Sequence, residues 1–322
     1  MTSSDVAPTA GGYGETMRIL VIGAGATGGY FGARLAQAGR DVTFLLRPGR
    51  AAAVRANGIR LTGQGPDEVV PVTVLTADEI DGPYDLLLLT VKNGALDSAM
   101  DDMAPAVGPG TLIVPFLNGL SHLDRLNQRF GVGAVLGGVV IVATTVNQNG
   151  DIVRLAPQAS LTTGAQSTSP PVGLTGVDAA LGGVIGFDFA LSDDILADMW
   201  GKWAFIATLG AFTCLMRGAV GEIVAQPGGD KLGPAFLAEA TAIAQANGYP
   251  IAEARVRNTT ATVTQPGSGL TSSMYRDVLD GHPTESDYII ADLVTRGREH
   301  GLESPLLHLA AMQLAVHNAR AQ

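Results

Sequence analysis

The stretch from Arg18 to Gly39 constrains this chain more than any other. A short β-favouring run, Arg18 to Ile22, passes directly into Gly23-Ala24-Gly25-Ala26-Thr27-Gly28, then into a helical stretch, Gly29 to Gln37, that stops at Gly39. A second strand, Val42 to Leu46, follows at once. A strand–helix–strand unit of about 30 residues joins parallel strands, because a crossover of that length returns the chain to the same end of the sheet. In such a unit the first glycine permits the sharp turn, the second lets the backbone approach a diphosphate, and the third lets helix and strand pack closely. A bare GxGxxG is weak evidence. Placed between a strand and a helix it predicts a dinucleotide on the loop, Gly23, Ala24, Gly25, Ala26, Thr27 and Gly28, against the alternative of a glycine-rich turn that binds nothing.

Selectivity for NAD normally needs a carboxylate after the second strand to accept a ribose hydroxyl. None stands between Val42 and Pro66, whereas Arg47 and Arg50 follow the strand immediately, where an extra 2′-phosphate would lie. NADPH is therefore the expected cofactor; the alternative is that both arginines are solvated loop charges.

Apolar runs at Asp85 to Val91, Thr111 to Leu117 and Val135 to Val142 alternate with helical segments, Leu96 to Ala106 and Ser121 to Phe130. Shorter β-like pieces follow, Asp151 to Leu155 and Ser160 to Thr163, then a Ser/Thr/Pro cluster at Ser167 to Pro171. Beyond Ser192 the pattern is helical: Asp193 to Leu209, Leu232 to Asn247, Ile251 to Val263, Glu285 to Glu299 and Ser304 to Ala319. The predicted architecture is α/β, an N-terminal Rossmann-type doubly wound sheet with an all-helical C-terminal domain. Residues 1–16 read as a disordered tail, 17–191 as the NADP-binding domain, and 192–322 as a helical substrate and dimerisation domain.

A net charge of -10 opposes binding to a phosphate backbone, so no nucleic-acid partner is expected. The single cysteine, Cys214, cannot form an internal disulfide, and no CxxC or HExxH spacing suggests a metal. No apolar run reaches the roughly 18 to 20 residues of a membrane span, and the first residues lack the form of a secretion signal, which predicts a cytoplasmic protein without a membrane partner. The apolar late helices leave room for a homodimer.

Only three of the 20 basic residues are lysines: Lys92, Lys202 and Lys231. Lysine can lose its proton when desolvated and arginine effectively cannot, so lysines in an arginine-using chain mark candidate proton-transfer sites. Lys92 ends the strand Leu86 to Val91, at the carboxyl edge where open α/β sheets bind ligands. Lys202 lies in the apolar helix Met199-Trp200-Gly201-Lys202-Trp203, as a catalytic acid or a snorkelling lysine at the core edge. Asn118 of Asn118-Gly119 ends another strand, as a ligand contact or a turn residue. Ser272-Ser273 and Glu285 read as helix-capping residues on local grounds. The five histidines, His122, His282, His300, His308 and His317, lack ligand spacing and read as surface or packing residues.

In this order the motifs resemble the ketopantoate reductases, the NADPH-dependent 2-dehydropantoate 2-reductase family, along residues 17 to 320: the glycine loop, Val91-Lys92, Asn118-Gly119, Trp200-Gly201-Lys202, Gly221-Glu222-Ile223, Ser272-Ser273-Met274 and Thr284-Glu285. The resemblance implies reduction of a 2-oxo acid, ketopantoate in the family, to a 2-hydroxy acid. It implies Lys202 as the general acid, Glu285 beside it at the cofactor, Asn118 touching both nicotinamide ribose and substrate, Ser273 holding the substrate carboxylate, and Lys92 lining the site. Where the family keeps side-chain amides for the substrate, this chain has Ile206, Gly210, Val220 and Leu270. Missing hydrogen-bond partners penalise a hydroxylated substrate and predict a more apolar one. Two other readings stand beside it, an opine or amino-acid-type dehydrogenase and a non-catalytic NADPH-binding sensor.

Overall fold

The computed structural model describes residues 17–169 and 171–321; the stretch 1–16, expected to be a disordered tail, lies outside them. The opening unit forms as β1 (Arg18–Ile22), α1 (Ala26–Gln37) and β2 (Asp41–Leu45). Next come α2 (Pro48–Asn57), β3 (Ile59–Gly63), β4 (Glu68–Val70) and β5 (Thr73–Leu75). The chain then alternates through β6 (Leu86–Leu89), α3 (Leu96–Met103), β7 (Leu112–Pro115) and α4 (Ser121–Phe130). Five strands make one parallel sheet in the order β5-β2-β1-β6-β7, with Ile19 opposite Val42 on one side and Leu86 on the other. Successive connections leave β1 in opposite directions, so a crevice opens between the carboxyl ends of β1 and β6.

The two central strands, Ile19 to Ile22 and Leu86 to Leu89, are 3% exposed or less, and such wholly apolar sequence is what a sheet covered on both faces requires. The sequence pattern departs from the structure beyond β7. There the chain forms β8 (Leu136–Val146), β9 (Ile152–Ala165), α5 (Leu174–Leu181) and β10 (Asp188–Leu191). The run Val135 to Val142, read as a further strand of the parallel sheet, leaves only Val135 there, bridged to Ile113. The remainder pairs antiparallel with β9 in a second sheet ordered β10-β9-β3-β4. Gly138 permits that departure, because a Cβ there would collide with the carbonyl oxygen of Pro115. The two expected pieces, Asp151 to Leu155 and Ser160 to Thr163, are one 14-residue strand. The residues between them, Pro157 included, face the irregularity in the β8 ladder between Val142 and Thr144. A proline lacks the N–H a ladder needs and sits where pairing lapses, so in sequence it mimics a strand end.

The C-terminal domain is helical: α6 (Ile195–Met216), α7 (Val220–Val224), α8 (Gly229–Ala246), α9 (Glu253–Val263), α10 (Ser273–Leu279), α11 (Asp292–Glu299) and α12 (Pro305–Ala321). The helix expected from Glu285 begins instead with a π-helical turn, Asp287–Ala291, that runs into α11. One apolar cluster runs from Leu20, Leu87 and Leu89 of the sheet to Trp200, Trp203 and Phe212 of α6, which brings the Lys202 helix to the crevice. Among the described residues no helix is long and apolar enough to cross a membrane.

Candidate active site

The glycine loop is shaped by contacts only glycine allows. Gly23 has φ +98°, a left-handed conformation, and its N–H donates to the Leu45 carbonyl at 3.1 Å. A Cβ on Gly28 would collide with Thr90 Oγ1 and the Gly23 carbonyl, and Thr90 Oγ1 is fixed by donating to the Ile22 carbonyl at 2.8 Å. Gly25, ahead of Ala26 and Thr27 at the start of α1, has nothing within 4 Å of the position a Cβ would take, and no side chain caps the helix. Gly23, Ala24 and Gly25, leading into the uncapped start of α1, line a cleft of about 410 Å³. Arg47, Arg50, Ser98 and Asp102 contribute polar side chains to its lining. Arg47 donates to Ser98 Oγ at 3.0 Å; Arg50 donates to the carbonyls of Gly150 at 3.0 Å and Ala24 at 3.4 Å. The carboxylate of the lining, Asp102, comes from α3 and not from the end of β2. An open glycine backbone, unsatisfied helix amides and two guanidinium groups suit a phosphorylated dinucleotide.

Across the crevice, Lys202 is half-buried on α6. Burial pulls its ammonium down to about 8, opposed by the Glu285 carboxylate. Glu285 stands just before the π turn, and its Oε1 accepts from the Asn93 backbone N–H at 3.0 Å and from Asn93 Nδ2 at 3.3 Å. Asn93 Nδ2 also donates to the Asn118 carbonyl at 3.2 Å, which fixes Asn118 beyond the end of β7. Next to it, Gly119 at φ +79° packs so closely on the Tyr288 carbonyl that a Cβ would collide. Trp203, the neighbour of Lys202, donates its indole N–H to the Ile289 carbonyl at 2.7 Å, tying α6 to the same π turn.

The other expected site residues are more open. Lys92 is 69% exposed, with its Nζ 3.8 Å from Asp277 of α10. Ser272 is the cap of α10: its Oγ accepts from the Tyr275 N–H at 3.0 Å and lies 2.9 Å from Thr213 Oγ1 of α6. Ser273, the first residue of α10, is exposed. The capping role expected for the serine pair thus falls to Ser272.

Two family models match the chain, "Ketopantoate reductase PanE/ApbA" over residues 19–167 and "Ketopantoate reductase PanE/ApbA C terminal" over 194–317. The chain belongs to the ketopantoate reductase family. Among its relatives are an uncharacterised oxidoreductase, YkpB, of Bacillus subtilis, 28% identical over 94% of this chain and 99% of that protein. A 2-dehydropantoate 2-reductase of Mesorhizobium japonicum is 29% identical over 88% of this chain and 92% of its own length. The solved structure of a 2-dehydropantoate 2-reductase from Geobacter metallireducens has a TM-score of 0.83 at 28% identity, covering 93% of this chain and 99% of that one.

In this oxidoreductase of the ketopantoate reductase family, Asn93 is the polar residue the sequence reading missed. It is 2% exposed and links Glu285 to Asn118, and its one signal in sequence is its place directly after Lys92 at the carboxyl edge. The four positions without amides differ in their surroundings, from Leu270, which is exposed, to Val220, which is enclosed. Ile206 lies one turn beyond Lys202 on α6 and is half-buried. The space where Gly210 would carry a Cβ is filled by the end of the Met274 side chain. Val220 is fully buried, and its N–H donates to the Leu270 carbonyl at 3.0 Å.

Proposed function

We propose that this protein is an NADPH-dependent reductase of the 2-dehydropantoate 2-reductase type, converting a 2-oxo acid to the 2-hydroxy acid. One observation carries the reading: Asn93, at the carboxyl edge of the sheet, ties Glu285 to Asn118, and that carboxylate opposes the desolvated ammonium of Lys202, which burial lowers to about 8. Such an ammonium is still charged at neutral pH yet gives up its proton more readily than an ordinary lysine, which suits a group that must meet and protonate a developing alkoxide.

The bound dinucleotide supplies the hydride. The loop Gly23 to Gly28 and the first amides of α1 hold its diphosphate, and Arg47 and Arg50 take the 2′-phosphate. Asn118 and Glu285 hold the nicotinamide side, with Glu285 kept in place by Asn93. Lys202 donates its proton to the carbonyl oxygen, while Ser273 and Lys92 receive the substrate carboxylate. Reduction is therefore expected to fall as pH rises through 8, where Lys202 loses the proton it must give.

The named relatives favour ketopantoate as substrate. Ile206, Gly210, Val220 and Leu270 favour a 2-oxo acid with an apolar side chain, because each absent hydrogen bond to a substrate hydroxyl removes on the order of 1 kcal/mol of discrimination or more. Residues 17–191 are the cofactor unit in this reading, and 192–322 the substrate and dimerisation unit of a cytoplasmic homodimer. The half-exposed Leu309, Met312 and Val316, on one stripe of α12, support the pairing. Comparing kcat/KM for ketopantoate and for apolar 2-oxo acids, with NADPH and with NADH, tests the proposal. Turnover of at least one 2-oxo acid with preference for NADPH is expected; tight NADPH binding without turnover of any ketone would favour a sensor.

A further inference from the structure

Thr284 and Glu285 lie in an irregular stretch between α10 and the π turn, so the backbone of Thr284 has no partner from a regular element. Its partners come from Asn318, in the last turn of α12 and 34 residues further along the chain. Asn318 Oδ1 accepts from the Thr284 N–H at 2.8 Å, and Nδ2 donates to the Thr284 carbonyl at 3.2 Å. The same Nδ2 lies 3.3 Å from Ser286 Oγ, and Thr284 Oγ1 lies 3.0 Å from both Asn318 Oδ1 and Ser286 Oγ. Thr284 and Ser286 are 8% and 1% exposed, so these bonds form away from water. Next to Asn318, His317 Nε2 donates to the His282 carbonyl at 2.9 Å, so α12 also holds the start of the stretch.

This geometry selects for an amide. Accepting from the N–H of one residue while donating to its carbonyl, as a neighbouring strand would, needs an acceptor and a donor side by side; a carboxylate offers acceptors only. The residues that Asn318 grips stand on either side of Glu285. Beyond them, the Glu285 carbonyl accepts from the Tyr288 and Ile289 N–Hs at 3.1 Å, which fixes the start of the π turn. The main chain is therefore held before and after Glu285, while Asn93 holds the carboxylate at the far end of the side chain. A carboxylate on a flexible side chain keeps such a partner only when the main chain it reaches from is fixed.

We propose that Asn318 is a positioning residue for Glu285: its amide fixes the main chain around Glu285 so that Oε1 stays on the Asn93 N–H at the carboxyl edge of the sheet. Its part in reduction rests on Glu285 belonging to the cofactor side of the site, as proposed above.

The bond to Asn93 gives a readout that needs no substrate. In protein labelled with 15N-asparagine, hydrogen exchange at the Asn93 backbone N–H reports whether Glu285 Oε1 is in place. The Asn147 and Asn247 N–Hs, bonded to the carbonyls of Asp151 and Ile243 at 3.0 and 3.1 Å, report on the fold elsewhere. Asn318→Leu, similar in size but without the amide, is expected to speed exchange at Asn93 by about tenfold and leave Asn147 and Asn247 unchanged. Thr284→Val, a milder change that serves if the leucine variant does not fold, should speed it in the same direction; Thr284→Ser, which keeps the hydroxyl, should not. Glu285→Ala sets the full effect. In turnover assays with a 2-oxo acid, Asn318→Leu should lower kcat several-fold, yet have no further effect on Glu285→Gln, because it acts through that carboxylate. Failure of every 2-oxo acid to turn over would sink the reaction and leave the exchange result standing. Unchanged exchange at Asn93 in the folded variants, Glu285→Ala included, or an equal rise at all three asparagines, would overturn the proposal. So would kcat losses from Asn318→Leu and Glu285→Gln that multiply.

Discussion

The glycine-loop cleft takes its floor from one uninterrupted stretch, Ile22 to Gly25, and its walls largely from the segments that follow, with Arg47 and Arg50 at the start of α2. The cluster around Lys202 is gathered from four separate places: Asn93 after β6, Asn118 after β7, Lys202 on α6 and Glu285 before the π turn. Its central bond joins residues 192 positions apart. As proposed, the first region binds through its backbone, where side chains must be absent, and the second works through individual polar side chains gathered from separate elements. A substitution should accordingly disturb shape and cofactor affinity in the loop, but proton chemistry in the cluster.

The largest expected effect falls in the cluster. Lys202→Ala should lower turnover by about 10² to 10⁴-fold while NADPH affinity, read by fluorescence titration, changes little. Matching losses in both quantities would erase the distinction between the two regions. Gly28→Val is expected to do the reverse: its side chain would drive into Thr90 and the Gly23 carbonyl, weakening NADPH binding and lowering unfolding stability by about 1 to 3 kcal/mol. Wild-type affinity and stability in that variant would show that the loop yields where the structure has it rigid. The smallest effect should come from Arg47→Ala, a side chain that is exposed and bonded to Ser98. About a tenfold loss of preference for NADPH over NADH is expected, and an unchanged ratio would return Arg47 to being a solvated loop charge.

The same contrast explains what could be read from the sequence. The opening strand–turn–helix was legible because every requirement lies within a few neighbouring residues, and Ser121 to Phe130, with its strong apolar periodicity, emerged with the expected bounds. The strands β3, β4 and β5 are three to five residues long, too short for alternation to register, and their partners are distant: β3 lies between β4 and the late strand β9. Pro157 split β9 in the sequence because a ladder that pauses and a strand that ends carry the same local mark. Within the site, Lys202 stood out as a rare residue type in an apolar helix. Asn93 and Asn318 did not, since their meaning lies in partners, which depend on how distant segments pack.

The bond between Asn93 and Glu285 also orders events in time. A chain made from its N-terminus completes β1, α1 and β2, with the glycine loop between them, long before Glu285 exists. The nascent sheet is then left with an orphaned Asn93 and a bare apolar face that α6 will later cover. On the proposed roles, the half-made protein would during that interval hold a surface for a dinucleotide but no proton donor, so its earliest folded form would bind before it could react.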